Sequence, residues 1–128
     1  MRRVRVVLVE DNEVFREAFE LMLGMREEVE VVASTGDGGS ALTAVLEHRP
    51  DVVLIDYRMP GLDGVETTTQ LRAQLPSVAV VALTASADDV QRQELLAAGA
   101  VACLGMDEEL DEIVAAIQKA AQMSNNTP

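Results

Sequence analysis

Acidic side chains follow two Val-rich runs of the sequence, and a hydroxyl follows a third. Glu10 and Asp11 come directly after one run, Asp56 ends another, and Thr84 stands at the end of a third. If these runs are strands, and the run before Glu10 lies beside the run that ends at Asp56, the three carboxylates converge. Like charges tolerate such proximity only when they are protonated or share a cation. Oxygen ligands with room for water suit Mg²⁺, which binds carboxylates together with phosphate oxygens. The pattern predicts a Mg²⁺ site beside a carboxylate that can act as a nucleophile or accept phosphate.

Short apolar runs alternate five times with segments of helical periodicity. The runs are rich in Val and suit strands buried on both faces of a parallel sheet. We expect strands at residues 4–9, 29–33, 52–55, 78–83 and 101–104, and helices at residues 12–25, 40–48, 64–75, 88–98 and 108–123. The first helix carries Phe15, Phe19 and Met22 at helical spacing, after Asp11 or Asn12 as its cap. Five βα units predict an α/β fold with a doubly wound parallel sheet and helices on both faces.

Length, charge and cysteine content restrict the function further. A chain of 128 residues forms one domain, with residues 1–123 as its body and residues 124–128 as a polar tail or the start of a linker. Its 22 acidic and 10 basic residues give a net charge of −12, which argues against direct contact with nucleic acid or an anionic membrane. The single cysteine, Cys103, cannot form an internal disulfide and is expected to be a buried strand residue. No apolar run is long enough for a signal peptide or a membrane span, so we expect a cytoplasmic location.

Four blocks of sequence, within residues 3–121, resemble the receiver domain of two-component response regulators. The blocks are Val7 to Asn12, Asp51 to Gly64, Leu83 to Ala85 and Ala97 to Ala100. The second block is the most specific, and the last resembles regulators whose receiver precedes a helix-turn-helix output domain. The resemblance implies a flavodoxin-like (βα)5 fold with strand order 2-1-3-4-5.

The resemblance also implies roles for single residues. Asp56 matches the phosphoacceptor, whose carboxylate attacks the phosphorus of a phosphohistidine on a partner. Glu10 and Asp11 match the acidic pair that holds Mg²⁺ with Asp56 and the backbone carbonyl of Arg58. Thr84 matches the hydroxyl that turns toward the phosphoryl oxygen. The implied partners are a histidine kinase or a phosphotransfer protein, and the domain is expected to be a signalling switch, not a free-standing enzyme, with control of transcription as its expected output.

Two positions depart from the family pattern. Met106 stands where the family places a Lys that pairs with the acceptor carboxylate, and the only Lys of the chain is Lys119. Cys103 stands where the family places a rotating aromatic side chain. We therefore expect slower or poorly coupled phosphorylation of Asp56. An alternative is an atypical receiver that acts as a protein-interaction module without phosphorylation.

Other classes with this architecture fit less well. A dehalogenase-type hydrolase needs a second Asp two residues after its nucleophile, where this chain has Arg58. A flavin carrier needs a phosphate-binding loop after the first strand, where Glu10 and Asp11 would repel phosphate. The family's usual docking face, the fourth and fifth helices with the fifth strand, is acidic here. A homodimer through that face needs Arg92 or Lys119 to pair across it.

Overall fold

The Val-rich runs form five strands, as predicted. The structure is a computed structural model and describes residues 3–56, 64–84, 89–105 and 107–125. The strands are β1 (Val4–Val9), β2 (Val29–Thr35), β3 (Val52–Asp56), β4 (Ala79–Thr84) and β5 (Ala102–Gly105). All pair in parallel in the order β2-β1-β3-β4-β5, so the chain has the predicted flavodoxin-like receiver fold. The carboxyl ends of all five strands therefore lie at one edge of the sheet.

Five helices connect and follow the strands. They are α1 (Glu13–Gly24), α2 (Gly38–His48), α3 (Gly64–Gln74), α4 (Asp89–Ala98) and α5 (Leu110–Asn125). Asn12 caps α1 by accepting a hydrogen bond from the Phe15 amide at 3.1 Å, which decides between the two predicted caps. Asp37 caps α2 in the same way through the Ser40 amide at 2.8 Å. Both α1 and α2 therefore begin at a polar side chain that satisfies a free backbone amide of the first turn.

The two faces of the sheet bury separate apolar layers. Side chains of α1 and α5, such as Leu23 and Ile117, pack with Leu8 and Leu54 on one face. Side chains of α2, α3 and α4 pack with Val7, Val9, Val53 and Ile55 on the other. Alternate residues of one strand thus enter opposite layers, which explains the uninterrupted apolar runs. No helix within the described residues is long and apolar enough to cross a membrane.

The structure differs from the sequence expectation in the bounds of α2, which begins at Gly38 and not at residue 40, and in α1 and α5. Of the three spaced side chains of α1, only Phe19 is buried, whereas Phe15 and Met22 are exposed. The buried side of α1 is completed by Leu23 instead. The helix α5 begins two residues later than expected and extends to Asn125, past the expected end at residue 123. Since no Gly or Pro occurs between residues 106 and 127, nothing in the sequence stops this helix earlier.

Candidate phosphoacceptor and metal site

Three carboxylates meet at the carboxyl edge of the sheet. Asp56 is the last residue of β3, and Glu10 and Asp11 follow β1 directly. The register of these neighbouring strands pairs Val9 with Ile55, so the next residue of each strand is acidic. One carboxylate oxygen from each of Glu10, Asp11 and Asp56 lies within 4.8 Å of the others. The predicted convergence of the three acids is therefore present.

Glu10 is the buried member of this cluster, with only 2% of its surface exposed. Its backbone amide donates to the carbonyl of Thr35 at 3.0 Å, which continues the β1–β2 pairing. Its Oε2 accepts a hydrogen bond from the Asn12 amide at 3.1 Å, whereas its Oε1 is buried and accepts none from the described residues. Burial raises the pKa of Glu10 to about 8, and the neighbouring Asp11 and Asp56 raise it further. The hydrogen bond from the Asn12 amide lowers this pKa, but by less than burial raises it.

The donor set fits a small, hard cation. All three groups offer oxygen, and Mg²⁺ prefers carboxylate oxygens while it keeps several waters. The buried Oε1 of Glu10 lacks a partner among the described residues, which is costly for a carboxylate unless a cation or proton compensates it. Asp11 is exposed and Asp56 is half-buried, so the cluster opens to solvent on the side from which waters or a phosphoryl group would enter.

Arg16 connects α1 to this edge, and the sequence reasoning did not single it out. Its Nη1 donates to the backbone carbonyl of Glu10 at 2.9 Å. A Cβ at Gly36 would lie 2.8 Å from the same nitrogen, so the absence of a side chain there leaves room for the guanidinium. The contact fixes the turn that carries Glu10 and Asp11. The sequence feature that could have indicated this contact is an Arg about one helical turn after the cap Asn12.

Thr84 lies beside the acidic cluster on the neighbouring strand. It is the last residue of β4 and is 3% exposed. Asp56 pairs with Leu83 in β4, and Thr84 pairs with Gly105 in β5. Asp56 and Thr84 are therefore at the same edge on adjacent strands, as the sequence predicted.

Of the two residues that depart from the family pattern, the structure describes Cys103 but not Met106. Cys103 is buried in β5, as expected, and burial raises the pKa of its thiol. Its backbone carbonyl accepts a hydrogen bond from Nη1 of Arg92 at 2.9 Å, which ties α4 to β5. Met106 lies outside the described residues, and so does Arg58 with its expected carbonyl ligand.

Comparisons with known proteins decide the family. The sequence profile described as "response regulator receiver domain" matches residues 6–118. The chain belongs to this family. It is the phosphoacceptor domain of a two-component response regulator, and this assignment is favoured over an interaction module that works without phosphate.

Relatives of this receiver domain include longer proteins. It is 34% identical over 120 residues to the transcriptional regulatory protein DegU of Brevibacillus brevis, which covers 94% of this chain and 51% of that one. It is 37% identical over 114 residues to the transcriptional regulatory protein LnrK of Bacillus subtilis, covering 89% of this chain and 52% of that one. The receiver domain thus spans about half the length of these relatives.

A solved structure resembles the receiver domain along nearly its whole length. The signal receiver domain of NarL from Mycobacterium tuberculosis superimposes with a TM-score of 0.90 and 36% identity. The match covers 95% of this chain and 98% of that chain. The likeness therefore includes the carboxyl edge of the sheet and both helical layers.

Proposed function

We propose that Asp56 is the residue of this receiver domain that accepts the phosphoryl group. The proposal rests on one observation: Asp56 lies half-buried at the carboxyl edge of the sheet, with an oxygen within 4.8 Å of those of Glu10 and Asp11. In the transfer, a carboxylate oxygen of Asp56 forms a bond to phosphorus as the bond between phosphorus and the donor imidazole nitrogen breaks. The imidazole leaves with the electron pair and takes up a proton from solvent. Transfer of this kind depends on positioning and on neutralising charge.

Glu10, Asp11 and Asp56 are the side chains that would hold Mg²⁺, together with the backbone carbonyl of Arg58 that the family resemblance implies. The ion supplies positive charge that offsets both the carboxylates and the incoming phosphoryl oxygens. Glu10 would contribute its buried Oε1, which has no partner among the described residues, and Asp11 would contribute a solvent-facing oxygen. The Asn12 amide and the Arg16 guanidinium hold the side chain and the carbonyl of Glu10 in place.

The adjacent position of β4, which ends at Thr84, and β3, which ends at Asp56, supports the proposal that the Thr84 hydroxyl binds a phosphoryl oxygen after transfer. In this chain the ammonium group that the family uses at the site is absent, since Lys119 is the only Lys and lies in α5. Cys103 is small, so it cannot fill the space that a rotating aromatic residue would fill. We propose that phosphorylation occurs but is slower, and is less tightly coupled to movement of Thr84 and α4, than where both groups are present.

The proposed donor is a histidine kinase or a phosphotransfer protein, and the domain is a switch without independent enzymatic turnover. Relatives named as transcriptional regulatory proteins support an output in transcription, carried by a part of the protein outside this receiver domain. A homodimer through α4, β5 and α5 requires cross-pairing by Arg92 or Lys119. Arg92 already donates to Cys103, so Lys119 is the freer of the two cations for such a contact.

Intact mass after treatment with acetyl phosphate and Mg²⁺ tests the role of Asp56. We expect the mass of one phosphoryl group on the parent domain and none on Asp56→Asn. Asp89→Asn, at an exposed acid in the first turn of α4, is the matched control and should gain the group like the parent. Equal labelling of Asp56→Asn would exclude this acceptor. No labelling of the parent by this donor or by a phosphorylated histidine kinase would instead favour the interaction module.

A Mg²⁺ titration followed by NMR tests the metal site separately. We expect saturable shifts of the amides of residues 10, 11 and 56, because those residues surround the ion. Both Glu10→Gln and Asp56→Asn should weaken binding, since each removes a negative charge from the cluster. No response of the parent up to tens of millimolar, far above the usual range for such sites, would rule out the site.

A further inference from the structure

The strand β2 is the longer of the two edge strands of the sheet. Within the part of the chain that the structure describes, β2 has seven residues and pairs with β1 alone, whereas the opposite edge strand β5 has four. Edge strands are commonly protected from pairing with another chain by short length, Lys or Pro. β2 contains neither Lys nor Pro. Of the two edges, the β2 edge is therefore the one better able to accept a further strand.

The backbone of β2 directs alternate residues toward and away from β1. The amide of Val4 donates to the carbonyl of Glu28 at 2.9 Å, so Glu28 faces β1. Successive residues of a strand turn their backbone groups to opposite sides, so the amide and carbonyl of Val31, three residues later, face outward. Outside the helices and the strand ladders, no backbone hydrogen bond of the described residues involves Val31. An added strand could therefore pair with this residue.

A bulge interrupts β2 at Val32. Val6 and Val7 are successive residues of β1, but they pair with Val31 and Ala33, so Val32 is the extra residue of β2. Bulges bend a strand and disturb pairing locally, so they shorten the stretch that another strand can join. The bulge thus restricts the β2 edge without closing it.

Beyond the bulge a second residue faces outward. The carbonyl of Thr35 accepts a hydrogen bond from the amide of Glu10 at 3.0 Å, so Thr35 faces β1 and its neighbour Ser34 faces outward. Residues 30–35 are all at least partly exposed, whereas Val29 is 1% exposed. The accessible part of the edge is therefore residues 30–35, here called the β2 edge.

A cavity of about 300 Å³ lies beside the β2 edge, between the strand and α1. Val29 and Val31 of β2 and Gly24 at the end of α1 are among its lining residues. An added Cβ at Gly24 would meet nothing within 4 Å, so this part of the cavity is open. In recognition by strand addition, main-chain hydrogen bonds supply affinity and pockets for alternate side chains supply specificity. The edge and the cavity together provide both parts.

The charges around the cavity select a basic side chain. Glu20 and Glu30 line it, and Arg3 is the one base among its lining residues. The hydroxyl of Ser34 donates to the carboxylate of Glu20, which holds this acid beside the strand. The apolar walls suit the methylene stem of a Lys or Arg, and the carboxylates suit its charged head.

A second copy of the chain fits the β2 edge less well. Pairing of β2 with its own copy about a two-fold axis brings the same acidic surroundings against themselves, which costs affinity. The strand also has no Lys or Arg of its own to enter the cavity of the other copy. We infer that the β2 edge binds an extended segment of another protein as a sixth strand, with a Lys or Arg of that segment in the cavity beside α1.

A short synthetic peptide tests the inference. The probe is a capped hexapeptide in which Lys alternates with Thr, labelled with a fluorophore at one end, and the matched peptide carries Glu in place of every Lys. We expect saturable binding of the Lys peptide in fluorescence anisotropy. The Glu peptide should bind at least about tenfold more weakly, because its carboxylates meet those of the cavity.

N-methylation tests pairing through the backbone. A methyl group on the nitrogen of every Lys, or of every Thr, blocks the amides on one side of the extended peptide and leaves the other side intact. One methylated peptide should lose at least about tenfold in affinity and the other should bind like the parent peptide, and which one loses affinity reports the orientation of the strand. In the domain, hydrogen exchange of the outward amide of Val31 should slow on binding, whereas that of Glu30, which faces β1, should be protected already.

Substitutions in the domain locate the bound side chain. Gly24→Leu should weaken binding of the Lys peptide by about tenfold or more, because the new side chain fills the cavity at a position where the φ is not positive. Ala97→Leu adds similar bulk at an exposed residue of α4 and should leave the affinity within about twofold. Glu20→Gln should weaken binding more than Glu112→Gln, which removes an exposed charge from α5.

Three results would overturn the inference. If both methylated peptides bind like the parent peptide, the peptide is held by charge and not as a strand. If Gly24→Leu and Ala97→Leu have equal effects, the cavity does not receive the side chain. If the free domain dimerises in sedimentation experiments and Gly24→Leu abolishes the dimer, the occupant is a second copy. The inference does not depend on Asp56, so unchanged binding to Asp56→Asn separates failure of this site from failure of the proposed acceptor.

Discussion

At the residue scale, the burial of Glu10 distinguishes it from the other two acids of the site. The sequence predicts that Glu10, Asp11 and Asp56 converge, because each follows a Val-rich run. The sequence cannot predict which of the three side chains is buried, since that depends on how the loops after β1 and β2 cover the ends of the strands. In the structure Glu10 is covered and Asp11 is not. The two neighbouring acids, Glu10 and Asp11, therefore differ in their effect on stability.

The pKa of Glu10 gives the metal-free domain a characteristic pH dependence. Its ordinary value is 4.5 and its value in the folded domain is about 8, so between these pH values the folded state holds a proton that the unfolded state has lost. The free energy of unfolding should fall as the pH rises from about 5 to about 8, by at most about 1.4 kcal/mol per pH unit. Glu10→Gln should remove this decrease and be more stable than the parent at the upper end.

Urea denaturation in the presence of EDTA, at several pH values in this range, measures the effect. Glu17→Gln alters an exposed glutamate of α1 and should retain the slope of the parent. The assignment fails if the parent and Glu10→Gln show the same slope. Added Mg²⁺ should reverse the trend in the parent, because the ion competes with the proton for Glu10.

At the scale of the elements, the strands were more predictable than the sides of the helices. A continuous apolar run such as Val52 to Ile55 has both faces buried, so the pattern identifies the strand without specifying its register. Helix α1 is different, because it has apolar residues around more than half of its circumference. Phe15 and Met22 were expected beside Phe19 and are exposed instead. When a helix has apolar residues on two sides, periodicity alone cannot tell which side packs in the core and which is exposed to solvent.

Two glycines at helix ends should respond oppositely to the same substitution. Gly99, after α4, has a φ of +117°, and an added Cβ would lie 2.6 Å from Cγ of Arg72. The guanidinium of Arg72 is held by the carbonyls of Pro76 and Val78, at 2.7 and 3.0 Å, so the side chain cannot move without losing hydrogen bonds. Gly99→Ala should cost about 1–3 kcal/mol of stability.

Gly24 is the matched control at the end of α1. Nothing lies within 4 Å of an added Cβ, and its φ is not positive. Gly24→Ala should therefore stabilise the domain by about 0.5–1 kcal/mol, since it restricts the unfolded chain more than the folded one. Equilibrium unfolding of both variants measures the change in the free energy of unfolding at each position. An equal loss of stability at Gly99 and Gly24 would contradict the explanation from φ.

At the scale of the whole molecule, the net charge of −12 acts against the compact state. Acids occur on both helical layers and at the site, with 10 basic residues to offset them. The strand order could be predicted only through the family resemblance, since periodicity does not say which strands are neighbours. The total charge, in contrast, could be read directly from the composition.

Monovalent salt should stabilise the domain by screening this repulsion. Raising NaCl to about 0.15 M shortens the Debye length to about 8 Å, which is less than the span of the surface charges. We expect a gain of about 1 kcal/mol, which corresponds to roughly 4 °C in Tm for a domain of this size. Choline chloride at equal ionic strength should act equally. A Tm that is flat or falls with NaCl, measured in EDTA, would contradict the prediction.

The length of α5 has a mechanical consequence. The helix begins near the edge of the sheet that carries Asp56, and its 16 residues extend about 24 Å along its axis toward the opposite edge. Asn125, the last residue of this helix, therefore lies at the end of α5 that is far from the three carboxylates. A change at the carboxyl edge of the sheet can reach this far end of α5 as a tilt or shift of the helix as a rigid rod. Arg26, two residues after the end of α1, donates a hydrogen bond to Asp111 in the first turn of α5 at 2.6 Å, so the near end of this rod is tied to the chain that follows α1.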